Sequence, residues 1–311
     1  MDRKAAIIGA GLVGRAWAMI FARAGWNVAL HDPSPAAREA APRLCAEGLR
    51  NLADHGLCED PGGAAARIRV ARDMADALDG AELAQENGPE RPEAKREIFS
   101  ELDRLAAPAA ILASSTSAIP ASVFTEGLAG RARCLVAHPV NPPHLVPVVE
   151  LCGAPWTAAE TVERARAIYE AIGQVPVTIR REVPGFVLNR LQGALLAEAF
   201  RLVGEGYVSP QDLDHTVKNG LGLRWSFMGP FETIELNAPG GIADYVARFG
   251  PSFLAPVAAD AAGPEVYDAD RVARILAEWG PAPVPGRIEE RSAWRDARLA
   301  ALVAHKRGQT P

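Results

Sequence analysis

Residues 4–14 read Lys4-Ala5-Ala6-Ile7-Ile8-Gly9-Ala10-Gly11-Leu12-Val13-Gly14. The stretch is a short apolar run that passes directly into Gly-x-Gly-x-x-Gly. The run predicts a buried strand, and residues 15–24, which carry apolar side chains at helical spacing, predict a helix ending at Gly25. A second strand, residues 26–31, closes at Asp32-Pro33. Strand, glycine turn, helix and strand in that order open a βαβ unit and therefore a parallel sheet. In such a unit the first glycine allows the turn, the second lets backbone approach a pyrophosphate, and the third lets helix and strand pack closely. The helix N-terminus then offers free N–H groups and the positive end of its dipole. Gly9, Gly11, Leu12, Val13 and Gly14 are thus candidate dinucleotide-binding residues. Asp32 ends the second strand, where its carboxylate can accept bonds from adenosine ribose hydroxyls. It would repel a 2′-phosphate, and Pro33-Ser34-Pro35 supplies no adjacent cation. NAD is the expected cofactor, in preference to NADP.

The alternation continues through the first half. Strands are expected at 68–71, 81–85, 111–114, 134–137, 146–151 and 174–179, with a helix over 34–56 that Pro42 kinks or restarts, and another over 92–105. Thr157-Ala158-Ala159-Glu160 matches a capping box, and Val162, Ala165, Ile168, Tyr169 and Ile172 trace one apolar helical face after it. Beyond Pro184 the strand signal fades. Helices are expected over 185–203, after Ser209, over 270–279 and over 287–305, the last two separated by the proline-rich 281–285. The 311 residues suit two domains. They read as an α/β Rossmann-type doubly wound sheet domain over 1–182 and an all-helical domain over 183–311.

Composition narrows the function. Lys and Arg total 33 against 38 Asp and Glu, a net charge of −5. That balance argues against a general nucleic-acid binder. No apolar run approaches the roughly 20 residues that cross a bilayer, and Met1-Asp2-Arg3-Lys4 leads straight into the first strand without a signal-peptide pattern. Cys45, Cys58, Cys134 and Cys152 form no CxxC pair. Neither a metal site nor a disulfide framework is expected, and a cytoplasmic location is.

Two constellations carry chemistry. His138 ends the strand 134–137, a loop containing Pro139, Pro142 and Pro143 follows, and Glu150 lies in the next strand. A strand–loop–strand path can bring Glu150 back beside His138. A carboxylate on one imidazole nitrogen sets the tautomer and leaves the other nitrogen as a base. His144, in the same loop, reads as a solvated histidine. Ser114-Ser115-Thr116-Ser117 follows the strand 111–114 at the carboxyl edge of the sheet, where hydroxyls can bond a substrate oxygen. No GxSxG elbow surrounds them, so an acyl-enzyme is not expected.

Taken in order, GAGLVG, Asp32, SSTS, HPVNPP, a Glu twelve positions after its His, and VPGFVLNR resemble the 3-hydroxyacyl-CoA dehydrogenase superfamily. The blocks GRAWAMIFA, SSTSAIPAS, VAHPVNPPHLVPVVEL, GFVLNRLQ, SPQDLD and GLGLRWSFMGPFET resemble its λ-crystallin / L-gulonate 3-dehydrogenase branch. The resemblance runs from residue 7 to about residue 237 and is looser over the last seventy or so. It implies His138 as general base, Glu150 as its orienting partner, Ser117 near the reacting hydroxyl, and Asn189 hydrogen-bonding the substrate across the domain interface. It also implies Glu90 and Lys95 on the cofactor side, and a homodimer formed through the helical domain. The expected activity is NAD-dependent oxidation of the 3-hydroxyl of a small hydroxy acid. Alternatives are a short-chain 3-hydroxyacyl-CoA dehydrogenase, a carnitine dehydrogenase-like enzyme, and a cofactor-binding structural protein of the crystallin kind. In CoA-using relatives a lysine-bearing helical arm after the second strand contacts the nucleotide. Here residues 34–63 contain no lysine, and Arg38, Arg43 and Arg50 face five acids, Glu39, Glu47, Asp54, Glu59 and Asp60. An arm without net positive charge suits a ligand bearing several phosphates poorly. Arg224, in GLRW, could instead grip a carboxylate bidentately.

Overall fold

The computed structural model describes residues 3–280, 284 and 286–309. Met1, Asp2 and most of the proline-rich 281–285 stretch lie outside them. The chain divides into two compact units, Met1–Leu188 with Gly286–Pro311, and Asn189–Pro285.

The first unit is built on an eight-stranded sheet in the order β3-β2-β1-β4-β5-β6-β7-β8. Its elements are β1 (Lys4–Ile8), α1 (Leu12–Arg23), β2 (Asn27–His31), α2 (Pro35–Ala53), α3 (Pro61–Ala66), β3 (Ile68–Val70), α4 (Met74–Leu78) and β4 (Leu83–Glu86). There follow α5 (Pro92–Leu105), β5 (Ile111–Ser114), α6 (Ala121–Thr125), β6 (Cys134–Pro139), β7 (Val148–Gly153), α7 (Ala159–Ala171) and β8 (Val175–Ile179). Every neighbouring pair is parallel except β6 and β7. Successive β1 residues feed opposite layers. Ala5 and Ile7 join a cluster with Trp17, Ile20 and Phe21 of α1, while Ala6 and Ile8 join one with Phe99 and Leu102 of α5. Both faces being covered, each position must be apolar, which is why the strands read as continuous runs rather than alternating ones. Each fully buried Leu, Ile or Val contributes about 1.5–3 kcal/mol. Strand order reverses between β1 and β4, and ligands of such sheets bind in the crevice at the carboxyl ends of those strands.

Several boundaries differ from the sequence expectation. Helix α1 begins at Leu12, not residue 15, because Gly11 is already its N-cap. Helix α2 continues through Pro42 without a break, capped by the Ser34 hydroxyl. The capping box at 157–160 does not form. Thr157 Oγ1 instead accepts from the Ala154 N–H at 2.9 Å and donates to the Cys134 carbonyl at 2.7 Å, leaving α7 without a side-chain cap. Gly185 and Phe186 take positive φ values of 76° and 49°, so the helix expected from 185 starts only at Leu188.

The second unit contains α8 (Leu188–Gly204) from its second residue, then α9 (Pro210–Thr216), α10 (Gly222–Trp225), α11 (Pro230–Glu235), α12 (Gly241–Phe249), α13 (Ala255–Ala259) and α14 (Ala269–Trp279), and no strand among the described residues. Ser209 caps α9 by accepting from the Asp212 N–H at 3.1 Å. Few of its apolar residues are buried, and α12 and α14 bury none completely. A final helix, α15 (Arg287–Arg307), returns to the first unit. Ala300 is buried in the α1–α2 layer, and Leu299, Val303 and Ala304 pack against it. These four positions form one stripe on the helix. The division therefore falls six residues later than the expected 182/183 boundary, and the last helix lies with the sheet rather than with the other helices. No helix among the described residues is long and apolar enough to cross a membrane.

Candidate active site

The glycine turn sits at the carboxyl ends of β1 and β4. Gly9 has φ +101°, and a Cβ there would lie 2.7 Å from the Asn87 carbonyl oxygen. A Cβ on Gly14 would lie 1.8 Å from the Gly9 carbonyl oxygen, so only glycine lets α1 approach the turn. At Gly11 a Cβ would meet nothing within 4 Å. Open space at that backbone, beside a helix start with no side-chain cap, is what a pyrophosphate requires, and the residues fit a dinucleotide. Leu12 is 74% exposed at the same helix start, and Val13 is half-buried. The Asp32 carboxylate accepts from the Ala10 N–H at 2.7 Å and from the Ser34 N–H at 2.8 Å, tying the end of β2 to the glycine turn.

Beneath the turn, the strand ends are locked by a buried polar network. Ser115 Oγ accepts from Trp17 Nε1 at 3.0 Å and from Gln85 Nε2 at 2.7 Å, and donates to Asn87 Oδ1 at 2.8 Å. The Tyr169 hydroxyl donates to Gln85 Oε1. Asn87 Nδ2 donates to the carbonyls of Ile8 and Gln85. Satisfied networks of this kind fix geometry at the cost of tolerance to substitution.

Lys95 is 1% exposed, and its ammonium binds both carboxylate oxygens of the fully buried Glu86, at 3.1 and 3.0 Å. Glu86 also accepts from the Gly88 N–H and from Ser114 Oγ. Glu90 lies 3.6 Å from the same ammonium. Its Oε1 accepts from Thr116 Oγ1 at 2.6 Å and from the N–H groups of Ser117 at 2.8 Å and Ala118 at 3.1 Å. Lys95 thus bridges Glu86 and Glu90, and Glu90 holds the loop that carries the exposed Ser117. Glu86 was not singled out from the sequence. Its signal was a carboxylate ending an apolar strand, which burial tolerates only with a partner.

His138 and Glu150 face each other directly in the antiparallel β6–β7 register, and His138 Nδ1 lies 2.8 Å from Glu150 Oε2. Both side chains are buried. The other carboxylate oxygen accepts from the N–H groups of Val187 and Leu188, each at 2.9 Å, so the same side chain caps the start of α8. Burial pushes the Glu150 carboxyl up, but the bond from His138 and those from Leu188 and Val187, with the imidazole charge, outweigh it and hold the group below its ordinary value. Phe186, fully buried in its positive-φ conformation, sets its ring 5.5 Å from the imidazole. An ionised carboxylate accepts from Nδ1–H, which leaves the lone pair on Nε2.

His144 is not the solvated histidine expected. It is half-buried, and its Nδ1 is buried without a hydrogen-bond partner among the described residues. Burial first, with Arg23 and Arg295 adding to it against Asp296, lowers its pKa to about 4. The unfolded chain, near 6.5, binds the proton first as pH falls. Stability is therefore full above pH 6.5 and declines through pH 4, by up to about 3 kcal/mol. Urea midpoints at pH 7 and pH 4.5 should show His144→Asn losing less on acidification than the wild type, and an identical loss would reject this account. Asn189 is the second residue of α8, half-buried, in the second unit. Arg224 lies exposed in α10 with no ion pair among the described residues.

Comparison with known proteins bears on this arrangement. Residues 4–183 match the NAD binding domain of 3-hydroxyacyl-CoA dehydrogenase, and residues 185–276 match its C-terminal domain. The chain is 39% identical to the λ-crystallin of Oryctolagus cuniculus, over 98% of this chain and 97% of the relative. It is 38% identical to an L-carnitine dehydrogenase of Streptomyces coelicolor, over 86% and 85%. Among solved structures, an NAD+ dependent dismutase, 5-formyl-3-hydroxy-2-methylpyridine 4-carboxylic acid 5-dehydrogenase, superposes over the whole of both chains with a TM-score of 0.85 and 31% identity. The chain belongs to the 3-hydroxyacyl-CoA dehydrogenase family, NAD-dependent oxidoreductases that act on CH–OH groups.

Proposed function

We propose that the chain oxidises the 3-hydroxyl of a small free hydroxy acid, as an L-gulonate 3-dehydrogenase does, with His138 as general base. The observation that carries this reading is the His138–Glu150 pair, 2.8 Å apart on the same sheet edge as the glycine turn. The turn, the first residues of α1 and Asp32 would hold NAD, which when bound supplies the hydride acceptor. Glu150 keeps the proton on Nδ1, so Nε2 receives the hydroxyl proton as the C–H bond breaks. Ser117 and Asn189 are assigned to the substrate oxygen, Glu90 and Lys95 to the cofactor side.

A free acid is favoured over an acyl-CoA by charge. The segment 34–63 carries three arginines against five acids and no lysine, and α2 spends Arg43 on Glu47 at 2.6 Å. Arg224 is assigned to the substrate carboxylate. NADH formation across L-gulonate, L-carnitine, 3-hydroxybutyrate and 3-hydroxybutyryl-CoA tests the reading. Turnover of a free acid is the expected result, and efficient turnover of the CoA ester alone would refute it. Arg224→Met should raise KM for the acid about tenfold or more while KM for NAD changes little, with Arg224→Lys rescuing in part.

The second unit supports a homodimer. Leu195, Leu196, Val246, Phe253, Leu276 and Trp279 are exposed there, apolar side chains that a second copy could cover. Light scattering at micromolar concentration should give twice 33.0 kDa, and a clean monomer would overturn this. All four cysteines are free and buried, which suits a reducing cytoplasm.

A further inference from the structure

Arg38 stands six residues after Asp32, outside the Pro33-Ser34-Pro35 window that offered no cation. The first turn of α2 carries it back. Its Nη1 donates to the main-chain carbonyl of Asp32 at 2.5 Å and to that of Pro33 at 3.3 Å. The guanidinium is therefore folded over the end of β2 and half-buried. Among the described residues no carboxylate forms an ion pair with it, and the hydrogen bonds it makes use Nη1 alone. A fork of five donors thus retains Nε and Nη2 for another acceptor. Its charge is felt at the strand end. The His31 imidazole is held below its ordinary value by burial first and by Arg38 second, against Asp32 and Asp73.

We propose that Arg38 makes the adenosine end of the cofactor site a latent 2′-phosphate site, which the Asp32 carboxylate alone keeps closed to NADP. This rests on reading Asp32 as the ribose-binding carboxylate. With Asp32 present, an acceptor faces the ribose diol and repels a phosphate. Without it, the groups left at the strand end are donors. The Ala10 and Ser34 N–H groups, which now bind the carboxylate at 2.7 and 2.8 Å, are released, and Arg38 stands beside them. Two backbone N–H groups that share one acceptor, with a guanidinium anchored on the neighbouring carbonyls, are a donor set that can hold a phosphate. The other NAD-binding residues of the turn are untouched by the change.

Fluorescence titration of NADH and NADPH onto the wild type, Asp32→Ser, Arg38→Met and the double variant tests the proposal. Hydrogen bonds to a charged group change affinity by about tenfold to a hundredfold. Asp32→Ser should therefore bind NADPH at least tenfold more tightly than the wild type and NADH more weakly. Adding Arg38→Met should remove the NADPH gain while shifting NADH affinity much less. Should Asp32→Ser fail to fold, Arg38→Met alone must still weaken the residual NADPH binding of the wild type several-fold. A gain that persists in the double variant, or NADPH binding indifferent to Arg38→Met, would overturn the role of Arg38. NADH affinity unchanged in Asp32→Ser would instead overturn the reading of Asp32 on which the proposal stands.

Discussion

His138→Ala is expected to lower kcat by about 10²–10⁴-fold, the contribution a positioned general base usually makes, while NADH binds nearly as well as before. The two measurements separate because His138 ends β6, whereas the glycine turn follows β1 and Asp32 follows β2. The imidazole lies on the same sheet edge as the cofactor residues but makes no hydrogen bond to them; its bond is to Glu150. Steady-state turnover and NADH titration on one preparation check the split. Turnover within a few-fold of wild type would remove His138 from the chemistry, and a parallel collapse of NADH affinity would show the substitution to be structural.

The second large effect is at Glu150, where two substitutions should fail differently. Glu150→Gln can point its amide oxygen at the Val187 and Leu188 N–H groups and so keep the cap on α8. Its NH2 then faces His138 Nδ1, which must become the acceptor, and the imidazole proton moves to Nε2. The base is lost although the histidine remains. Turnover should fall nearly as far as in His138→Ala, with a melting temperature close to wild type. Glu150→Ala strands the two N–H groups as well and should cost about 1–3 kcal/mol of stability beside the activity. Because the bonds hold the Glu150 carboxyl below its ordinary value near 4.5, its stabilisation is present above that value and is lost as pH falls beneath it. Equal turnover in Glu150→Gln and wild type would reject the tautomer argument.

Local patterns made much of this legible. A strand that runs into GxGxxG, followed one helix later by Asp32, needs only adjacent elements, and the parallel sheet and its cofactor follow from it. The twelve-residue separation of His138 and Glu150 was readable because a hairpin returns at short range. What escaped depends on contacts that periodicity does not encode. Glu86 falls one residue past the expected strand 81–85, and only the fold shows Lys95, nine residues on and a full helix turn into α5, as its buried partner. Arg38 was hidden because adjacency was judged along the chain, where one helical turn had to be counted. In its proline-laden loop His144 reads as solvated, yet Arg295 and Asp296, some 150 residues later, stand near it.

The return of α15 to the sheet has a consequence for how the molecule comes into being. Residues 299–304 complete a cluster whose other members lie between residues 5 and 172, and the whole second unit is encoded between them. At about 5–20 residues per second, the roughly 110 residues from Leu188 to Leu299 take on the order of 5–20 s to synthesise. Throughout that interval the cluster that α15 joins has all its other members synthesised but lacks Leu299, Ala300, Val303 and Ala304. The apolar face of that cluster therefore waits for α15, and the first unit closes only once the second has been made.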